Sequence, residues 1–428
     1  MTPRRTPLAD TAWRVPPRLQ YSGGNEVTLL RGGDALFPAM AAAIAAARHE
    51  VWLATYIFYD DASTATVLQA LADAAQRGVH VYVVLDGFGG MSQLPHLRRR
   101  LEPTGVKLTV FRPLERWWQW LQPGQLRRLH QKLCVVDGEC AFVGGINMVD
   151  DRYDVSHGPT EAPRLDFAVA LRGTVVAAVE QAARAVWSRA QLGRDIREEM
   201  AALARTAEPL ARARRLLNRV RMPAADDTPP EPPPLPPMHA AFVLRDNFRQ
   251  RRTIERSYVD AMRSAQRRID IVSPYFYPGR AFRRVLRQAA KRGVQVRLLL
   301  QGKIDYRIAG LAARALYDEL LGHGVRIYEY TPAYLHAKVA IVDDDWATVG
   351  SSNIDPLSLL LNLEANVVVR DAVFAAGLSA QFDEAIAASR DIDPQQALGG
   401  GVIGAARRAL VAWCAYVYLR MAGVTGRY

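Results

Sequence analysis

The chain is poor in the residues that announce several common chemistries. Of its 428 residues only three are Cys, namely Cys134, Cys140 and Cys414. None forms a C-x-x-C pair and an odd number cannot all pair, so neither a zinc knuckle nor a disulfide framework is supported, and a reducing compartment is the simple expectation. Long apolar runs are also missing. The longest, from Ala409 to Leu419, falls well short of the roughly 20 residues a spanning helix needs. Met1 to Gln20 carries Arg4, Arg5, Arg14 and Arg18 but no apolar core of signal-peptide length, so export by that route is not expected.

What is present is a chain that is 50% hydrophobic and 23% charged, which excludes general disorder. Its length favours two core-bearing units over one. Lys and Arg number 55 against 43 Asp and Glu, a formal charge of +12. That surplus favours an anionic partner, whether nucleic acid, a phospholipid surface or a phosphorylated small molecule.

From Pro223 to Pro237 about half the residues are Pro, with Asp226, Asp227 and Glu231 interspersed, and such a segment reads as an extended, solvated linker. It divides the sequence into an N-terminal tail (1–20), a first domain (21–222), the linker (223–238), a second domain (239–398) and a tail (399–428). Ala201 to Arg221 reads as an exposed basic helix. The two halves repeat one another. Thr64 to Arg77 passes through Gly78 into Val79-His-Val-Tyr-Val-Val-Leu85, and Ala281 to Arg292 passes through Gly293 into Val294-Gln-Val-Arg-Leu-Leu-Leu300. Helix, glycine cap and β-branched strand predict α/β architecture: in each half a mixed, mainly parallel sheet flanked by helices, the halves related by pseudo-two-fold symmetry.

Within each half one constellation recurs at the same spacing. His130-Gln-Lys132-Leu-Cys-Val-Val-Asp137 is followed by Gly144-Gly145-Ile-Asn147, and His336-Ala-Lys338-Val-Ala-Ile-Val-Asp343 by Gly350-Ser351-Ser-Asn353. A lone His-x-Lys is usually surface decoration, but two copies with Asp and Asn at fixed offsets are not. Residues i and i+2 of a strand share a face, so each His points the same way as its Lys. An imidazole beside an ammonium suits an anion: Lys holds a phosphate oxygen while His attacks phosphorus or moves a proton. Asp137 and Asp343 have the opposite parity and sit at predicted turns, which makes them supports of the catalytic motif. Gly145, Ser351, Asn147 and Asn353 are expected against the same phosphate. Asp166 and Glu364 occupy matching positions of the repeats and are candidates to accept from each imidazole Nδ1, with a strand-end salt bridge as the plain structural alternative. Neither His-rich nor acidic clusters accompany the motifs, so no metal and no cofactor is expected.

At these residues the sequence resembles the phospholipase D superfamily, whose H-x-K-x4-D motif occurs twice in one chain or once per subunit of a dimer. Leu129 to Gly138, Phe142 to Asn147 and Ser273-Pro-Tyr-Phe-Tyr-Pro278 look like bacterial cardiolipin synthases, and the absence of N-terminal spanning segments like their shorter B type. The Pro-rich insertion departs from that pattern, as does Gly145 where the second copy has Ser351. The resemblance implies a metal-free phosphatidyl transfer through a phosphatidyl-histidine, with His130 as nucleophile and His336 as acid/base. It implies phosphatidylglycerol as substrate, and a place on the cytoplasmic side of the inner membrane as a peripheral protein. Both motifs in one chain mean that an oligomer is not required to complete the site.

Trp117, Trp118 and Trp120 with Arg112, Arg127 and Arg128 suit a headgroup boundary, although the same pairing could stack nucleic-acid bases or pack into a core. Gly401 to Arg420 combines Arg407, Arg408 and Arg420 with Trp413, Tyr416 and Tyr418, a pattern that fits a helix in the membrane interface or a docking helix. Together these favour lipid, and no nucleic-acid partner is expected. Hydrolytic release of phosphatidic acid is the alternative, followed by a phosphodiesterase or nuclease activity.

Overall fold

The computed structural model describes residues 19–113, 127–155, 157–203, 238–245, 252–303, 314, 316–355 and 362–393. The Trp-rich stretch, the Pro-rich linker, most of the basic segment before it and the C-terminal tail lie outside the described residues.

The first half runs β1 (Ser22–Arg31), α1 (Gly32–Ala45), β2 (Glu50–Thr55), α2 (Ala65–Gln76), β3 (His80–Asp86), α3 (Leu94–Leu101), β4 (Lys107–Phe111), β5 (Leu133–Val136) and β6 (Cys140–Gly144). A short pair, β7 (Tyr153–Asp154) and β8 (Gly158–Pro159), then leads to β9 (Phe167–Gly173) and α4 (Val176–Leu203). The second half repeats this as β10 (Met238–Arg245), α5 (Thr253–Ser264), β11 (Arg268–Ser273), α6 (Arg280–Lys291), β12 (Gln295–Gln301), α7 (Tyr317–Leu321), β13 (Arg326–Tyr330), β14 (Val339–Val342) and β15 (Trp346–Gly350). It closes with β16 (Glu364–Arg370), α8 (Ala372–Ala387) and β17 (Ser389–Asp391).

The repeat follows from local patterning. Val67, Leu68, Leu71 and Ala74 are buried on α2, and Phe282, Val285, Leu286 and Ala289 on α6, an apolar stripe at helical period in both. Each helix ends two residues before a glycine in the left-handed region, Gly78 at φ +92° and Gly293 at φ +89°, which turns the chain into the next strand.

Among the described residues the long strands form one 15-stranded sheet, ordered β17-β13-β12-β11-β14-β15-β16-β10-β1-β9-β6-β5-β2-β3-β4. The two halves join where β1 and β10 pair antiparallel, and the order reads outward from that seam as the same series of seven twice, with β17 added at the edge of the second half. Parallel pairing, expected to dominate, is confined to β2–β3–β4 and β11–β12–β13, the strands joined through helices. The other neighbours are antiparallel, the hairpins β5–β6 and β14–β15 among them, so the sheet is mixed. One face carries a single core spanning both halves, closed by α4 and α8. The opposite face carries two separate cores, one under α1 to α3 and one under α5 to α7. A shared core on one face and a continuous ladder across the seam fix the two motif copies relative to each other.

Candidate active site

His130 and Lys132 lie in the extended lead-in to β5, and His336 and Lys338 in the equivalent lead-in to β14, just ahead of the strands on which sequence parity places them. The extended geometry still puts each pair on one side: Lys132 Nζ donates to the His130 carbonyl oxygen at 2.8 Å, and Lys338 Nζ to that of His336. Each ammonium thus keeps two of its three donors for another group.

Both lead-ins are stitched to the opposite half. The His130 N–H donates to the Leu363 carbonyl at 3.0 Å, and the Leu363 N–H to that of Arg128 at 2.9 Å. Symmetrically, the Leu165 N–H donates to Tyr334 O and the His336 N–H to Leu165 O, both at 2.9 Å. The residue after each leucine is a candidate carboxylate, and the stitching delivers it across the seam. Glu364 Oε2 lies 3.0 Å from His130 Nδ1, and Asp166 Oδ2 lies 2.6 Å from His336 Nδ1. Each imidazole is therefore held by the carboxylate of the other repeat, a pairing invisible when the halves are aligned.

The carboxylate on Nδ1 favours the tautomer that carries its proton there and leaves the Nε2 lone pair bare. Neither Nε2 has a hydrogen-bond partner among the described residues. The imidazoles retain 14% and 22% side-chain exposure, whereas the carboxylates are sealed.

Burial dominates the electrostatics. It lowers the proton affinity of His130, opposed by Glu364, and that of His336 much further because Lys338, Arg164 and Lys132 add positive charge without equal compensation. Burial also brings Lys132 down to about 8 and Lys338 down to about 7. Asp166 is pushed up to about 6 by burial, against the opposing pull of Lys338. Glu364 is held down despite burial by His130, Lys132 and Ser351. Lys132 acts on both imidazoles, as does Lys338, and with each imidazole held by a carboxylate of the other repeat the two half-sites lie side by side at the seam.

The remaining motif residues divide. Asn147 and Asn353 are both buried, and the side-chain oxygen of each has no hydrogen-bonding partner, so both amides can turn to a ligand. Ser351 and Gly145, expected against phosphate, serve the carboxylates. Ser351 Oγ donates to Glu364 Oε2 at 2.5 Å and accepts from Ala365 N–H at 3.0 Å, which uses the one hydrogen it could give a phosphate. At Gly145 a side chain would collide with the Asp166 carboxylate, so glycine makes the space that Asp166 occupies.

Asp137 and Asp343, grouped with the catalytic residues by motif, stand at the far ends of β5 and β14, some 20 Å of extended chain from their histidines at about 3.3 Å per residue. Both adopt left-handed backbone, at φ +52° and +51°. Asp137 accepts from the N–H groups of Arg48, His49 and Glu50, and Asp343 from those of Gln266, Arg267 and Arg268. They fasten the start of β2 and β11 to the motif strand and touch no reacting group. Arg128, expected to face headgroups, is buried against Asp86 and donates to the Arg112 carbonyl at 3.0 Å.

Tyr56 was not singled out by the repeat. Its ring lies 5.2 Å from that of His130, and Lys132 Nζ sits 5.6 Å from its centroid, so it walls one side of the first half-site. Pro274 stands at the equivalent place in the second half, which removes the repetition that would have flagged it.

Residues 40–157 and 258–386 match the family model described as cardiolipin synthase, PLD-like domain, and together they make up more than half of the chain. The chain belongs to this family. It is 37% identical to cardiolipin synthase B of Shigella flexneri, over 87% of this chain and 83% of the relative, and equally to that of Escherichia coli strain K12. Cardiolipin synthase A of Pseudomonas putida is 32% identical over 88% of this chain and 71% of its own length. Among solved structures, phosphatidylserine synthase of Haemophilus influenzae shares the fold with a TM-score of 0.59, covering 93% of this chain and 94% of that one at 12% identity. The fold and family expected from the duplicated motif are the ones found.

Proposed function

We propose that the chain is a cardiolipin synthase that moves a phosphatidyl group from one phosphatidylglycerol to the terminal hydroxyl of another. The observation that carries the reading is a pair of imidazoles with bare Nε2 atoms in one cleft with two lysines, each imidazole fixed by a carboxylate from the other repeat.

His130 Nε2 attacks the phosphorus of the first lipid, and the bond to the glycerol oxygen breaks as His336 gives that oxygen a proton. The phosphatidyl-imidazolium on His130 carries positive charge beside the ionised Glu364, which stabilises it. His336, kept unprotonated in the empty cleft by burial and neighbouring cations, takes up its proton when substrate anions offset that charge, and then serves as the acid. In the second step the acceptor hydroxyl gives its proton to His336 and forms the new P–O bond, and the P–N electron pair returns to His130. Lys132 and Lys338 neutralise the phosphoryl oxygens, and Asn147 and Asn353 add donors.

The same reading makes the protein peripheral on the cytoplasmic face of the inner membrane. Among the described residues no helix is long and apolar enough to cross a membrane. The +12 charge supplies attraction to an anionic lipid surface.

Vesicles of phosphatidylglycerol incubated with purified protein test the reading: cardiolipin with equimolar glycerol is expected. Phosphatidic acid as the main product would make the protein a hydrolase, and no lipid turnover alongside DNA cleavage would overturn both. The lysines also set a pH dependence. A lysine is charged below its pKa, so with values of about 7 and 8 the empty site loses positive charge as pH rises through that window. Apparent KM for phosphatidylglycerol is expected to rise roughly tenfold between pH 6.5 and 9, following the loss of about one charge-assisted contact. A KM flat across that range would show that the lysines do not carry the phosphate.

A further inference from the structure

The two half-sites differ in one cation. Arg164 precedes the Leu165–Asp166 pair, and the residue at its place in the second repeat is the uncharged Asn362. The Leu165 N–H and carbonyl bond across the seam to Tyr334, His336 and Ala337, and its side chain enters the core shared by both halves. In extended chain, residues on either side of Leu165 project to the same face. Asp166 projects to His336 Nδ1, so Arg164 is directed toward the same half-site. Its charge is felt at His336, Lys338 and Asp166, as well as at Asp150 and Asp151, but it is not among the charges that act most strongly on His130.

Among the described residues Arg164 makes a single ion pair, and it is a long one. Its side chain is only 9% exposed, Nη2 donates to the Tyr153 carbonyl at 2.7 Å, and the nearest carboxylate oxygen, on Asp154, is 4.0 Å away. Nε and Nη1 have no hydrogen-bonding partner among the described residues. A guanidinium nine-tenths buried, anchored at one corner with two nitrogens unmatched, is arranged to receive a planar or tetrahedral oxyanion.

Resting on the proposed phosphatidyl transfer, we infer that Arg164 binds the phosphodiester of the acceptor lipid and so selects phosphatidylglycerol over water or free glycerol in the second step. The chemistry demands a second anion site. When the first phosphate is covalently attached to His130 between the two lysines, the acceptor arrives with its own phosphodiester, three carbons and an ester oxygen from the attacking hydroxyl. That hydroxyl must reach His336, and Arg164 is the cation beside His336 that the reacting phosphate does not need. Water and glycerol lack this phosphate and gain nothing from the guanidinium. Docking the acceptor also cancels the charge that depresses His336, strengthening the base at the moment it must take the hydroxyl proton.

The test is a competition in one reaction. Phosphatidylglycerol vesicles are incubated with labelled glycerol, and cardiolipin formed is compared with label exchanged into phosphatidylglycerol. Both products come from the same covalent intermediate, so their ratio does not depend on how much enzyme is folded. Arg164→Gln is expected to lower the ratio of cardiolipin to exchange by roughly tenfold or more, the size of a lost charge-assisted contact, and to raise the share of phosphatidic acid. Arg164→Lys, which keeps the charge, is expected to recover part of that loss. An unchanged ratio in Arg164→Gln, with both products falling together, would reduce Arg164 to a structural or pKa-setting role and overturn the inference. Lysine performing no better than glutamine would also overturn it. Failure of the wild-type protein to make cardiolipin would instead bring down the underlying phosphatidyl-transfer reading, and this inference with it.

Discussion

Replacing His130 by Ala, or His336 by Ala, is expected to lower cardiolipin formation from phosphatidylglycerol vesicles by about four orders of magnitude or more, the scale on which removing one member of a concerted catalytic unit acts. The two losses should not add, because nucleophile and acid/base serve one step and the reaction stops when either is absent. The variants should still bind vesicles, since neither imidazole contributes to the surface charge. The roles are separable. Rapid quenching with labelled lipid should trap the phosphatidyl group on His130, beside the ionised Glu364, and His336→Ala, lacking its base, should accumulate any intermediate that forms. Label on His336 would reverse the roles, and substantial activity in either variant would end the two-histidine mechanism.

The second large effect comes from the exchanged carboxylates. Glu364→Gln and Asp166→Asn keep the shape but no longer hold the proton on Nδ1, and each is expected to cut kcat by about a hundredfold to ten-thousandfold, by comparison with the amide variant of a buried catalytic aspartate. The crosswise pairing makes the spectroscopic outcome distinctive. Glu364→Gln should move the ring 15N resonances of His130, 234 residues away in sequence, and leave those of His336 nearly in place. Asp166→Asn should do the converse, across 170 residues. Each variant perturbing the imidazole of its own repeat would contradict the seam. Ser351→Ala should act in the same direction as Glu364→Gln but more weakly, because it releases the carboxylate without removing it.

The lysine values near 7 and 8 connect these effects to substrate binding. A buried ammonium that is only partly protonated in the empty cleft becomes fully charged when a phosphodiester arrives, so binding draws in protons. The cleft thus avoids holding two uncompensated buried cations before substrate arrives, a state that burial would make costly.

Much of this was legible in the sequence, for local reasons. The period of α2 and α6, the glycines that end them and the β-branched runs behind them are short-range signals, and they announced the repeat and its α/β character. The parity of extended chain placed each lysine beside its histidine and turned Asp137 and Asp343 away from the chemistry. The mixed sheet was misweighted toward parallel pairing because helix-connected strands advertise themselves more strongly than the meanders beside them. Ser351 and Gly145 read as phosphate contacts in sequence because a Gly-[Gly/Ser]-x-Asn segment is compatible with any close approach. Only packing reveals that the close approach is to a carboxylate.

By itself, then, the sequence determined the duplication, the two His–Lys pairs as candidates and the shared direction of each pair, since all of these depend on residues within a few positions of one another. Tertiary structure alone decided which carboxylate meets which histidine, because that depends on β1 pairing with β10 and on the bonds joining Leu129 to Leu363 and Leu165 to Leu335, contacts between segments about two hundred residues apart. It also decided what breaks the symmetry. Glu364 with Ser351 on one side, and Asp166 with Gly145 and Arg164 on the other, make two unequal half-sites from one repeated motif. That inequality is what the proposed division of labour between nucleophile and acid/base would draw on.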